Sequence, residues 1–264
     1  MQSVPSSLWK RRHLLWVLVM SNLKRQNKNS SLGYLWWLID PLIMTGIYYM
    51  VVSVVFDRGG ANQPFILFLV CGLLPWKAFA EGLGQSTNSF RNAGGIIKAI
   101  AFPKAVLPIS LVASNTIYLL FALIIPITLA VVLAPTHDTW PALSYIMLPV
   151  VVAVQATLAL GLSLLLATAG LFFIDLQNII RHITRMWYFL SPGLYSIDRI
   201  PEDWHSIYRL NPMVGILTSY RDVIMHGRLP AFIDLAYPLA VACLFLVVGY
   251  AVLRRFEGKL AQHL

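Results

Sequence analysis

Lys77 and Glu81 stand four residues apart in an otherwise apolar run, so on a helix they share one face. Charges inside a bilayer are costly and normally pair, face a partner helix or line a water-filled path. The two residues therefore read either as a structural ion pair or as the polar lining of a conduit. Asp40, next to Pro41 near the start of another apolar run, is either an interfacial carboxylate that snorkels or a polar group facing a bundle interior. The devices of common enzymes are missing. Gly258-Lys259 is followed by leucine and lacks the upstream glycine of a phosphate-cradling loop. His13, His137, His182, His205, His226 and His263 are scattered without metal-ligand spacing, so no metal site is expected. No G-x-S-x-G elbow occurs. Cys71 and Cys243 both lie in apolar runs and read as thiols within helices rather than a disulfide.

The elements that carry these residues must suit a bilayer. Hydrophobic residues make up 58% of the 264 positions and charged ones 12%, with a mean hydropathy of +0.70. A soluble domain is about 45–50% apolar and about 25% charged. The composition indicates an all-α polytopic membrane protein in a single domain. The net charge of +9 then reads as the basic bias of cytoplasmic loops rather than as a nucleic-acid footprint.

Residues 5–28 hold a short apolar run between Lys10, Arg11, Arg12 and Lys24, Arg25, Lys28, the pattern of an amphipathic helix lying in the interface against membrane lipid. No cleavable signal is expected there. Six spans are expected at 31–56, 64–90, 105–133, 141–173, 177–195 and 232–253. Residues 91–104 form a short basic cytoplasmic loop. Ala159, Ser163 and Ala167 recur every four residues, a spacing that lets helices approach closely. Residues 187–228 are too broken by Pro, Gly and charge to cross as one helix. The fifth span should end at Ser191-Pro192-Gly193. Beyond it, 196–231 should form external gate helices, one begun at Pro201 and one capped by Asn211 ahead of Pro212. The second, from Met213, reads as amphipathic, with Arg221 and Asp222 on its polar side. With both termini cytoplasmic, 14 of the 20 Lys and Arg fall inside: Lys10, Arg11, Arg12, Lys24, Arg25, Lys28, Arg91, Lys98, Lys104, Arg181, Arg185, Arg254, Arg255 and Lys259.

Several stretches resemble a known family. LKRQNKNSSLGYLWWLIDPL (23–42) carries the S-x-L-G-x-x-W-x-x-x-x-P-L pattern of the permease subunits of type-2 ABC exporters, especially those that export cell-surface polysaccharides. CGLLPWKAF (71–79), IIKAIAFPKAVLPIS (96–110), FFIDLQNII (172–180), FLSPGLYSIDRIP (189–201) and RLNPMVGILTSYRDVIMHG (209–227) follow in the family's order. One departure is Ile174-Asp175, where the family commonly has Arg-Asp.

The resemblance implies a homodimer in the bacterial plasma (inner) membrane with two copies of a cytosolic ABC ATPase. That partner would bind ATP and Mg; this chain would hold no cofactor. The cargo would be a lipid-linked glycan such as an O-antigen, a capsule polymer or a wall teichoic acid. Trp36, Trp37, Trp76, Phe79, Trp187, Tyr188 and Tyr195, with Lys77 and Glu81, would line its path, since sugar C–H faces stack on aromatic rings. Arg25, Lys28 and Arg91 would attract the pyrophosphate. Ile97, Lys98, Phe102 and Lys104 would couple to the ATPase, and Ser191, Pro192, Gly193, Asn211 and Pro212 would form the external gate. Two other readings stand beside this one. A permease for a drug or lipid would differ in its gene neighbourhood, and a membrane-embedded enzyme would act without an ATPase.

Overall fold

The computed structural model describes residues 12–26, 32–51, 64–99, 102–197 and 200–258, with the side chains of Gln26, Tyr34, Trp37, Leu38, Ile96, Lys98 and Ala99 left aside. Lys10, Arg11, Lys28 and Lys259 lie outside the described residues. All regular structure among the described residues is helical. In chain order the helices are α1 (Arg12–Gln26), α2 (Trp36–Tyr49), α3 (Phe65–Ser86), α4 (Ser89–Asn92), α5 (Gly94–Ala99), α6 (Val106–Ala122), α7 (Ile124–His137), α8 (Leu148–Phe172), α9 (Leu176–Phe189), α10 (Glu202–Tyr208), α11 (Pro212–Ile224) and α12 (Phe232–Phe256).

Four stretches are long and apolar enough to cross a membrane: Phe65–Ser86, Val106–His137, Leu143–Phe172 and Phe232–Phe256. The fifth expected span is shorter than read, and part of the first lies outside the described residues. α2 and α9 have 14 residues each. At 1.5 Å per residue α9 covers roughly 21 Å of a hydrocarbon core about 30 Å thick. α9 stops where Ser191-Pro192-Gly193 turns the chain, and residues 52–63, which hold the end of the first expected span, lie outside the described residues. The third expected span is one apolar rod interrupted at Leu123. Pro126 has no N–H to donate to the carbonyl of Ala122, which accounts for the interruption.

α3 is the axis. Fourteen of its 22 residues are buried, and α2, α6, α8, α9 and α11 all pack on it. α12 lies along α8. There the backbones approach so closely that a Cβ on Gly161 would sit 2.6 Å from the amide nitrogen of Leu246, with Gly249 facing it across the seam. Ala159, Ser163 and Ala167 are buried, but it is the Gly161–Gly249 contact that sets the spacing, because only hydrogen atoms stand between the two chains there.

Two apolar clusters run down this bundle. The larger joins α3, α6, α8 and α11 through residues such as Leu74, Leu119, Leu158 and Leu217. The smaller joins the far ends of α8 and α12 to α4, α5 and the start of α6, through Phe90, Ile97, Phe102, Val106, Leu171 and Leu253. α1 packs on α6, burying Val19 and Leu23. Its outward side carries Trp16 and Val17 beside Arg12, His13, Lys24 and Arg25. The helix is therefore less cleanly two-faced than its sequence suggests.

Candidate functional site

Aromatic residues distant in sequence come together where α9 crosses α3. The ring of Trp76 lies 5.7 Å from Phe79, 5.7 Å from Trp187 and 5.4 Å from Tyr188, centroid to centroid. Phe79 and Trp187 meet edge to face at 5.5 Å. Four of the sequence-predicted path residues thus form one cluster, in which Trp187 meets Trp76 and Phe79 in the edge-to-face geometry that ring quadrupoles favour. Trp76, Phe79 and Tyr188 are buried in it, so within this chain these rings face each other and not an open channel. Trp36 is exposed, and the side chain of Trp37 lies outside the described set.

Lys77 bonds Asp40 of α2, and its Nζ also lies 3.8 Å from Glu81. The lysine therefore bridges two helices, and Asp40 faces the bundle. Both readings of the charged pair meet here: Lys77 is ion-paired, while Asp40 and Glu81 remain 46% and 40% exposed on the side chain.

The break after α9 is built from hydrogen bonds. Ser191 Oγ donates to the carbonyl of Trp187 at 2.8 Å. Asn211 holds the junction together from below α11. Its Nδ2 donates to Ser191 Oγ at 2.8 Å, while its Oδ1 accepts from the Trp187 indole at 3.0 Å and from the Met213 amide at 3.0 Å. Asn211 is thus both the cap of α11 and the strut to the end of α9. Pro212 occupies the first turn, where a missing N–H costs nothing. Tyr208 Oη donates to Tyr195 Oη at 2.9 Å, and Tyr195 Oη donates to the carbonyl of Phe189 at 2.8 Å.

The amphipathic reading of α11 is corrected. Arg221 and Asp222 are each 4% exposed, as deeply buried as the apolar residues around them. Arg221 lays its guanidinium 3.6 Å over the ring of Phe68. Its Nη2 donates to the carbonyl of Gly193 at 3.0 Å, and its Nε donates to the carbonyl of Phe68 at 3.4 Å. A buried cation with carbonyls instead of a carboxylate is tolerable because the planar fork satisfies two acceptors while stacking on a ring. Gly72 makes room for this: a Cβ there would sit 2.6 Å from Arg221 Nη2 and 2.8 Å from the Gly193 carbonyl. Asp222 accepts from Arg228, with Nη2 at 2.6 Å and Nε at 2.8 Å. Sequence reasoning missed Arg221 as a member of this site. The available signal was that apolar residues surround α11 on every side, the mark of a helix buried all round.

At the other end, the predicted coupling residues point inward. Ile97 and Phe102 are 5% and 6% exposed and belong to the smaller cluster. Lys104 Nζ lies 4.6 Å over the Phe102 ring, and its amide donates to Glu257 Oε1 at 3.3 Å. The side chain of Lys98 is outside the described set. Arg91 Nη2 donates to the carbonyl of Leu171 at 3.1 Å, near the end of α8. Arg25 is exposed on α1. On α9, Asn178, Arg181, His182 and Arg185 are all exposed, and their spacing puts them on one face of the helix.

Known proteins resemble this chain in sequence over nearly its whole length. The chain is 32% identical to an O-antigen export system permease protein, RfbA, of Myxococcus xanthus, over 96% of this chain and 94% of that protein. An RfbA of Klebsiella pneumoniae is also 32% identical, over 94% of each. The polysialic acid transport protein KpsM of Escherichia coli is 23% identical over 91% of this chain and 92% of its own length. Residues 13–225 match the ABC-2 type transporter family, so the helices, the α9–α11 junction and the α3 axis described above are those of a multi-pass membrane protein that belongs to that family.

Proposed function

We propose that this chain is the membrane permease subunit of an ATP-driven exporter that moves a lipid-linked surface polysaccharide from the cytoplasm to the outer face of the plasma membrane. The observation that carries the reading is the end-to-end likeness to permeases named for O-antigen export. Beside it stands a feature of this chain itself, the exposed α9 stripe of Asn178, Arg181, His182 and Arg185. An arginine on lipid at the bilayer centre costs roughly 2.5–3.5 kcal/mol. A stripe of this kind is stable facing water, a polar cargo or the membrane edge, and a polysaccharide is a polar cargo.

The working assembly is a homodimer with two copies of a cytosolic ATPase, and the polymer passes between the two permeases. α2 and α9 complete six crossings, α1 lies in the interface, and α10 and α11 re-enter from the outside as the gate. Both termini are cytoplasmic. This orientation puts Arg25, Arg91, Lys104, Arg254 and Arg255 inside, as the positive-inside bias requires. It also makes the Ser191-Pro192-Gly193 turn the point where the short α9 stops at membrane depth. Broken backbone survives there only against protein or a watery cavity, and Arg221 supplies the donor that the Gly193 carbonyl needs.

The test is co-purification of the full chain with a cytosolic ATPase from its native host, followed by an ATP hydrolysis assay with lipid-linked glycan. Glycan-stimulated hydrolysis is expected. A chain that binds no ATPase ends the exporter reading.

A further inference from the structure

A cleft of about 470 Å3 opens at the basic end of the bundle, between α1, the α3–α4 corner, α6 and the base of α9. Its volume is in the range of pockets that hold small ligands, roughly 300–1,000 Å3. Its chemistry is unlike the rest of the protein. Five carboxamides, those of Asn22, Gln85, Asn88, Asn92 and Gln177, line it together with serine hydroxyls. Among the described residues Arg25 is the one cation that lines it, and no carboxylate does.

Each internal hydrogen bond here uses one end of a carboxamide and leaves the other for a ligand. Asn88 Nδ2 donates to Gln177 Oε1, so Asn88 Oδ1 and Gln177 Nε2 stay open. Asn115 Nδ2 donates to Gln85 Oε1 at 3.2 Å, leaving Gln85 Nε2. Asn22 Nδ2 donates to Ser110 Oγ at 3.2 Å, leaving Asn22 Oδ1. Ser89 is a second, independent sign. It is 5% exposed, borders the cleft, and its Oγ has no hydrogen-bond partner among the described residues. A buried hydroxyl left unmatched costs about 1–3 kcal/mol unless something outside the chain satisfies it.

A site for a bare phosphate would gather cations or backbone N–H groups. This one offers donors and acceptors in pairs, as a sugar ring with several hydroxyls requires, and one guanidinium, as one phosphate group requires. We propose that the cleft binds the sugar–phosphate junction of the lipid-linked glycan, with the carboxamides and Ser89 on the first sugar and Arg25 on the phosphate. This rests on the exporter reading, and on the basic end being cytoplasmic. It assigns to the cleft the choice between a loaded lipid carrier and an empty one.

The full chain in nanodiscs is titrated with two probes: a polyprenyl diphosphate bearing one N-acetylglucosamine, and the same lipid without the sugar. The wild type should prefer the sugared lipid by tenfold or more. The double substitution Asn88→Leu, Asn92→Leu should bring that preference close to one without weakening the bare lipid more than twofold. Arg25→Gln should weaken both lipids equally and keep the preference. A folded double variant that keeps the preference overturns the proposal. If that variant aggregates, a photocrosslinking residue at the exposed Asn92 replaces it: an adduct with the sugared lipid, competed by excess of the same, supports the cleft, and no adduct overturns it. A wild type that binds neither lipid counts against the exporter reading itself. One that binds both equally overturns only the cleft.

Discussion

At the α9–α11 junction, polar groups bond to one another, with Ser191 and Arg221 buried and Asn211 half-buried. Arg221, Ser191 and Asn211 tie the Gly193 carbonyl, the Trp187 indole and the head of α11 into one hydrogen-bonded knot. At the basic end, α4 and α5 are held by Phe90, Ile97, Phe102 and Leu171, side chains that meet apolar to apolar, while their polar neighbours line an open cleft. The contrast is mechanical. Hydrogen bonds are directional and hold one geometry, and a broken one inside the protein leaves a costly orphan. Apolar contacts fall off gently and permit small slides. In the proposed assembly the junction is a gate, which must be either shut or open and suits the first kind of bond. The proposed coupling loop would pass on the motion of an ATPase by small steps, which suits the second.

The largest effect that would break this comparison lies at Arg221. Arg221→Met keeps the volume and removes both donors. Two hydrogen bonds from a charged group, at roughly 1.5–3 kcal/mol each, set the expected loss at about 3 kcal/mol or more. The measurement is the thermal midpoint of the full chain in nanodiscs, followed by an export assay in cells. Arg221→Lys should recover less than half of the loss, because an ammonium cannot stack on Phe68 and reach two carbonyls at once. A methionine variant as stable as wild type would mean that the knot does not hold the gate.

Gly72→Ala tests the same knot from the α3 side, with a smaller effect. The new methyl group would press on Arg221 Nη2 and the Gly193 carbonyl. Overpacking of this kind costs about 1–3 kcal/mol. The informative quantity is its coupling to Arg221→Met. With the guanidinium gone part of the clash goes too, so the double variant should be more stable than the sum of the two single changes predicts.

These positions also mark how far the sequence could be read. The turn at Ser191-Pro192-Gly193 and the Asn211 cap were legible because Pro, Gly and Asn act on their own backbone. The four long apolar stretches were legible because length and hydropathy are local quantities. Arg221 was not. Its partners are Gly193, 28 residues away, and Phe68, 153 residues away, and no local pattern encodes those separations. A charged pair on a short helix reads as a wet face until the neighbours that bury it are known. The burial of Ile97 and Phe102 was hidden in the same way: in a basic loop they look exposed, yet they share an apolar cluster with Leu171 and Leu253, far along the chain. The 470 Å3 cleft was equally hidden, since its carboxamides come from four separate segments and none of them is unusual alone.

Asn211→Ala should cost about 1–2 kcal/mol, the range for a lost helix cap. It differs from an ordinary cap because Nδ2 and Oδ1 also hold Ser191 and Trp187. The sharpening readout is tryptophan fluorescence. Loss of the Nε1 bond should change the emission of Trp187, read as the difference between Asn211→Ala in the wild-type background and in Trp187→Phe. An emission change that survives in Trp187→Phe would mean that the cap, and not the strut, dominates.

The smallest effect probes the apolar end. Ile97→Val removes one methyl from the cluster around Phe90 and Val106, which should cost about 0.5–1.5 kcal/mol. Ile97 is 5% exposed and so offers a partner almost no surface. If it only positions the loop, co-purification of the ATPase should change less than twofold, while the coupling of ATP hydrolysis to export loosens in proportion to the lost packing. Ile97→Leu keeps the volume and should restore coupling. A sharp loss of ATPase binding in Ile97→Val, unrepaired by leucine, would mean that the loop turns outward to expose this side chain when the partner docks. The apolar end would then be a second switch with two discrete states, and the contrast with the hydrogen-bonded gate would fail.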